Sequence, residues 1–156
     1  MRPVADECHI ALGTLYNYFE DKDTLVLATV ESIWQEIFHG GDWQADTFCG
    51  CVAELYDRAR QGTEACPGFL TGHAIRIAGS RRGEARSAME HTFAHMRNAL
   101  LAVLWADKAV RQDSFTVSFS QGELISFVLD HMLILLVRQQ SDCGALPELI
   151  RRAIYE

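Results

Sequence analysis

An all-α fold is what this sequence predicts, on three observations. Apolar residues recur at helical spacing, with no sustained alternation of the kind that marks a strand. Breaks fall at Gly40-Gly41, Gly62 with Cys66-Pro67-Gly68, Gly79-Ser80-Arg81-Arg82-Gly83, Asp113-Ser114 and Asp142-Cys143-Gly144, cutting the chain into helix-sized pieces. A composition of 49% hydrophobic and 22% charged residues over 156 positions is that of a chain able to bury a core, which excludes disordered and collagen-like classes.

Taken in order, a short helix from Pro3 to Cys8 leads through a turn into a second, Leu12 to Phe19. Lys22 to His39 predicts a long amphipathic helix with Leu25, Ala28, Thr29, Ser32, Ile33, Glu36 and Ile37 on one face and Val26, Val30 and Trp34 beside it. Asp46 to Arg60 follows, with Phe48, Val52, Leu55 and Tyr56 at helical spacing. Pro67 suits the first turn of a helix running through Phe69-Leu70 to Ile77-Ala78, and Glu84 to Ala109 reads as a further long helix. From Gln121 to Arg138 apolar side chains lie almost all round the helix, more than a monomer of this size readily covers. Pro147 to Tyr155 closes the chain, with Leu146, Leu149, Ile150 and Ala153 spaced along it. Two such helices from each of two copies would form a four-helix interface; a central core helix is the competing explanation.

The formal net charge of −7 argues against coating nucleic acid by bulk electrostatics, so any DNA contact must be local. No basic-then-apolar leader is visible, and the longest apolar run, Met132 to Val137, is too short to span a bilayer. A cytoplasmic location without a membrane partner is expected. Cys8, Cys49, Cys51, Cys66 and Cys143 include no Cys-x-x-Cys pair, so reduced thiols are the simplest expectation. His91 and His95 are four apart, a spacing that can hold a metal, but no carboxylate or cysteine accompanies them at motif spacing. Gly-rich phosphate loops, nucleophile elbows and His-Glu-x-x-His elements are missing, and Asp21 and Asp23 fall in a loop-like, solvated stretch. Neither an enzyme nor a bound cofactor or metal is expected.

Gly13-Thr14-Leu15-Tyr16-Asn17-Tyr18-Phe19, the acidic break Glu20-Asp21, and Lys22-Asp23-Thr24-Leu25, with Val4-Ala5-Asp6-Glu7 upstream, resemble the DNA-reading end of the TetR family of bacterial transcriptional regulators. The resemblance implies a partial helix-turn-helix over residues 1–21 and an effector-binding and dimerisation domain over 22–156. It places Leu12, Thr14 and Asn17 against base edges and Tyr16, Tyr18 and Lys22 on the DNA backbone, with Gly13 permitting close approach. Asn17 has the best chemistry for base reading, because an amide can pair bidentately with adenine. Leu15 and Phe19 would be core.

Three departures accompany the resemblance. Only Met1 to Cys8 precede the turn, where the family has a full bracing helix and most of a second. His9-Ile10 replaces a Gly-led turn, and Ala11 stands where a capping Ser is usual. Residues 1 to 23 also hold Arg2 and Lys22 against Asp6, Glu7, Glu20, Asp21 and Asp23, a net charge of −3. Either residues upstream of Met1 are missing, or DNA affinity has been lost.

Cys66-Pro67-Gly68-Phe69-Leu70 and the helices after it resemble a common TetR C-terminal type. That implies a small-molecule effector pocket among Trp34, Phe38, Cys66, Phe69, His73, Ile77, Met89, Phe93, Met96 and His131. It also implies a homodimer interface at Leu124, Phe127, Val128, Met132, Leu135, Leu149 and Ile150. Cys66, near a helix start, is either a redox sensor or a half-buried structural thiol. The function implied is an effector-controlled repressor of operator DNA. The alternative is a dimeric ligand-binding or protein-interaction module that no longer binds DNA.

Overall fold

The computed structural model describes residues 1–39, 44–65 and 83–156, with side chains at all of these except 27, 37–39 and 83–93. Seven α-helices are present among them: α1 (Arg2–Glu7), α2 (Leu12–Tyr18), α3 (Lys22–His39), α4 (Phe48–Ala65), α5 (Gly83–Ala106), α6 (Gln121–Val137) and α7 (Leu146–Ile154). A 3-10 turn at Gln112–Ser114 and one isolated bridge between Thr116 and Phe119 complete the regular structure of the described residues. The all-α expectation holds. The helix expected over residues 67–78 lies outside the described residues. No helix of the described residues is long and apolar enough to cross a membrane.

Helix α4 is the hub, packing against α3, α5, α6 and α7. Its Phe48, Val52, Leu55 and Tyr56 are completely buried, as their spacing predicts, and Cys51 and Ala59 join them. Around them lie Val30 and Trp34 of α3, Met96, Leu100 and Leu104 of α5, Ile125, Val128, Leu129, Met132 and Leu136 of α6, and Leu146, Ile150 and Ile154 of α7. The buried stripe of α3 is Val30 and Trp34, with Val26 and Ile33 packed beside them, whereas Thr29, Ser32 and Glu36 are exposed. That corrects the expected face by about one residue. The heavy side chains at 26, 30, 33 and 34 win the core because they bury more apolar area than Ala28 and Thr29 offer.

The start of α4 shows how the chain closes on itself. The first amides of a helix lack partners in its backbone ladder, and here Phe48, Cys49 and Gly50 each find one before the ladder begins at Cys51. The Phe48 N–H donates to Asp107 Oδ2 at 2.8 Å, the Cys49 N–H to the Tyr155 hydroxyl at 3.3 Å, and the Gly50 N–H to Thr47 Oγ1 at 3.1 Å. The Cys51 N–H donates to the Thr47 carbonyl at 2.9 Å. Tyr155 in turn donates to Asp107 Oδ2 at 2.5 Å, and the Ala109 N–H donates to Oδ1 at 3.0 Å. One buried carboxylate therefore joins the end of α5, the start of α4 and the residue after α7. Burial by itself would raise the Asp107 pKa, but the bonds from Tyr155, Phe48 and Ala109 outweigh it and hold the carboxyl below its ordinary value. Burial, then the bond to Asp107, pushes the Tyr155 phenol up.

Helix α6 opens with a capping box. Ser120 Oγ accepts from the Glu123 N–H at 3.2 Å, and Glu123 Oε2 accepts from the Ser120 N–H at 2.8 Å. Its far end is tied to α4 by the Tyr56 hydroxyl, which donates to the Gln140 carbonyl at 2.8 Å.

Candidate functional site

Helices α1 and α2 form a small unit of their own, with Ala5 and Leu15 buried apart from the main core. The turn between them is built by backbone alone. The Ile10 N–H reaches the Ala5 carbonyl and the His9 N–H the Asp6 carbonyl, the paired bonds of a Schellman ending, with His9 at φ +54°. The same arrangement closes α6, where Gln139 also sits at φ +54° and the Gln140 N–H reaches the Leu135 carbonyl. Glycine is the usual occupant of this left-handed position; histidine and glutamine tolerate it at a cost.

On α2, Gly13 and Asn17 are four residues apart, on the side opposite Leu15. Thr14, Tyr16 and Tyr18 are exposed around them, and Lys22 is exposed at the start of α3. An added Cβ at Gly13 would meet nothing within 4 Å, so this face is open to close approach. Leu12 is half-buried on the flank nearer Leu15, less available to a base edge than its expected role requires. Phe19 is half-buried and Leu15 fully so, as core residues should be.

No side chain caps α2, because Ala11 stands at its N-cap position. Ala11→Ser is expected to add about 1 kcal/mol to α2 through a bond to a first-turn amide. Increased far-ultraviolet helicity and a higher midpoint in thermal melts would register it; an unchanged chain would show that α2 is limited elsewhere. Asp21, expected to lie in a solvated loop, instead caps α3, accepting the Thr24 N–H at 2.8 Å and the Thr24 hydroxyl at 2.9 Å. These bonds fix the joint between α2 and α3.

Where α3, α4, α5 and α6 meet there is a cavity of about 20 Å³ lined by Trp34, Ala59, Met96, Leu129, Met132, Leu133 and Leu136. Two expected pocket residues, Trp34 and Met96, are brought together there. His131 is not: it stacks on Phe127 at 5.9 Å, on the outer part of α6. Cys66, Phe69, His73 and Ile77, and the side chains of Phe38, Met89 and Phe93, lie outside the described residues. The volume is room for about one water, and such apolar walls stay dry, so this cavity is not of effector size. Ala59, Leu129, Met132, Leu133 and Leu136 were not expected as lining, because α6 is apolar almost all round and its spacing does not mark the inward side.

The expected dimer residues divide in two. Leu124, Val128, Met132 and Ile150 are at most 4% exposed and belong to the chain's own core, so they are not available to a partner in this fold. Leu135 is half-buried against that core. Phe127 and Leu149 remain open, at 53% and 51%, and Ile134 and Val137 join them at 46% and 48%. A helix apolar all round hides which side faces its own chain. Here α4 and α5 pack against α6, which buries Ile125, Val128 and Met132 and leaves Phe127, Ile134 and Val137 exposed.

Beside Leu149, Glu148 accepts from Arg151 at 2.9 Å and from Arg152 at 2.6 Å, which hold its carboxyl down at about 2. Cys49 and Cys143 are pushed up, first by burial, as is Cys51, so these thiols are poorly nucleophilic. No group of three or more potential metal ligands occurs among the described residues.

No protein-family model, curated protein or solved structure matches the chain.

Proposed function

We propose that this chain is a TetR-like transcriptional regulator, a homodimeric repressor whose operator binding is modulated by a small-molecule effector. The observation that carries the reading is the α1-turn-α2 unit, which turns Gly13, Thr14, Tyr16 and Asn17 outward opposite Leu15 and hands over at once to the long helix α3. In the groove, Asn17 reads a base edge, Tyr16, Tyr18 and Lys22 hold phosphates, and α3 carries the unit. The far half of α3, at Val30 and Trp34, is locked into the core against α4 and α5. A displacement of this half of α3 would therefore be carried to α2, which is the coupling an effector needs.

Asn17→Ala is expected to cost about 1–3 kcal/mol of operator affinity while leaving binding to a scrambled duplex unchanged. Anisotropy titrations with both duplexes measure this, and equal losses on both would remove Asn17 from base reading.

A second reading is favoured by the charge of the same unit. Two cations against five carboxylates in residues 1–23 supply few counterion-releasing contacts. On that reading the chain is a dimeric ligand-binding or protein-interaction module without operator affinity. The DNA titration separates the two.

A further inference from the structure

On the uncovered side of α6, Phe127 and Ile134 are exposed at 53% and 46%, and Glu123, Asp130 and Arg138 are exposed with them. His131, half-buried, stacks on Phe127 with ring centroids 5.9 Å apart. Arg138, at the C-cap, stays in the right-handed helical region and continues the spiral. At about 3.6 residues per turn these six positions fall within roughly 100° of the helix circumference, away from the buried Ile125, Val128, Met132 and Leu136. They form three pairs about one midpoint, between Asp130 and His131: Glu123 with Arg138, Phe127 with Ile134, and Asp130 with His131. Two of the pairs join an acid to a base, and the third joins two apolar side chains. Val137, the other exposed apolar residue of α6, lies at the edge of this band and has no counterpart in it. Helices favour an acid at the start and a base at the finish, so Glu123 and Arg138 by themselves mark nothing. What sets the stripe apart is that the inner four positions are matched about the same point.

We propose that a second copy of this chain docks α6 against α6 in antiparallel sense, on a twofold axis passing between Asp130 and His131. The proposal rests on the homodimeric reading above and gives that dimer its register. A stripe matched about its own midpoint is complementary to itself when turned end for end, which is what an isologous interface requires. In this register Phe127 packs on the partner's Ile134 and Glu123 meets the partner's Arg138, each contact occurring twice. At the centre Asp130 accepts from the partner's His131, whose ring has an N–H to donate in either charge state. Glu123 can serve both its cap and its partner, because its capping-box side-chain acceptor is Oε2 alone. A parallel pairing would instead set Glu123 on Glu123, Asp130 on Asp130 and Arg138 on Arg138, and such like-charge contacts disfavour it.

The test is sedimentation equilibrium of the full chain over a concentration series, comparing wild type, Arg138→Glu, Glu123→Lys and an equimolar mixture of the two variants. Each variant alone sets two like-charge pairs in its own dimer and is expected to dimerise about tenfold more weakly than wild type, or worse. In the mixed dimer both pairs are again of opposite charge, so the mixture is expected to associate within about threefold of wild type. Glu123→Lys also costs a capping-box partner. Glu123→Gln keeps an acceptor there, and its mixture with Arg138→Glu must likewise associate more tightly than Arg138→Glu alone. Single variants that dimerise as the wild type, or mixtures no tighter than Arg138→Glu alone, overturn this register and leave the homodimer standing. A wild type that stays monomeric throughout the series overturns both.

Discussion

Asp107→Ala is expected to destabilise the chain by about 3 kcal/mol or more, the largest single-site effect away from the hydrophobic core. The substitution strips the acceptor from the Phe48 N–H and the Tyr155 hydroxyl in a place where Asp107 is only 6% exposed. A buried donor left without its acceptor costs about 1–3 kcal/mol, and the Ala109 N–H loses its acceptor along with these two. The start of α4 also loses the negative charge that complements its dipole. Asp107→Asn keeps one acceptor oxygen and should lose less. Chemical denaturation of the three proteins at neutral pH gives the order directly.

The pH profile of stability carries the same signature. The folded-state pKa of Asp107 lies below its unfolded value, so its contribution is full above about pH 4 and is lost as pH falls through the lower folded value. Tyr155 is shifted the other way, so its contribution is full below about pH 10 and is lost as pH rises toward its higher folded value. Asp107→Asn should flatten the acid limb of the wild-type profile. An unchanged acid limb would show that other carboxylates govern acid unfolding.

The second large effect concerns self-association. Phe127→Asp combined with Ile134→Asp is expected to weaken the proposed homodimer by more than about a hundredfold, with the thermal midpoint of the isolated chain nearly unchanged. Each copy would lose two apolar side chains worth about 1.5–3 kcal/mol apiece when fully buried, and would set two carboxylates in an apolar contact. Both positions are exposed in the chain itself, so its own core is untouched. Leu124→Ala is the opposite control. That side chain is core, and its truncation should cost about 2–5 kcal/mol of folding stability. Sedimentation of each variant across a concentration series separates the effects. A double variant that sediments as the wild type would move the interface off this face.

These contrasts show what the sequence could and could not convey. The inward side of α4 was legible because Phe48, Val52, Leu55 and Tyr56 repeat at helical spacing and nothing competes with them. The break before α3 was legible from its acidic residues, although not the cap that Asp21 provides. Asp107 was invisible: its bond to Phe48 spans 59 positions, and no local pattern marks a residue that caps a helix so remote. On α6, periodicity was uninformative because both sides are apolar, and only its packing against α4 and α5 decides that Val128 goes inward and Phe127 outward. The sequence did place Thr14, Tyr16 and Asn17 on an exposed helix face, but overestimated the reach of Leu12, whose flank turns toward Leu15. His131 was drawn to the pocket by chemistry alone, and geometry puts it beside Phe127.

The central claim is operator recognition, and its most direct test is equilibrium binding of the purified chain to DNA from its own upstream intergenic region. Fluorescence anisotropy over a salt series, beside a scrambled duplex, reads both affinity and selectivity. A regulator should bind the upstream duplex selectively, with affinity that falls log-linearly with salt. Equal, weak binding to both duplexes would contradict the account and assign the chain to the dimeric module without operator affinity.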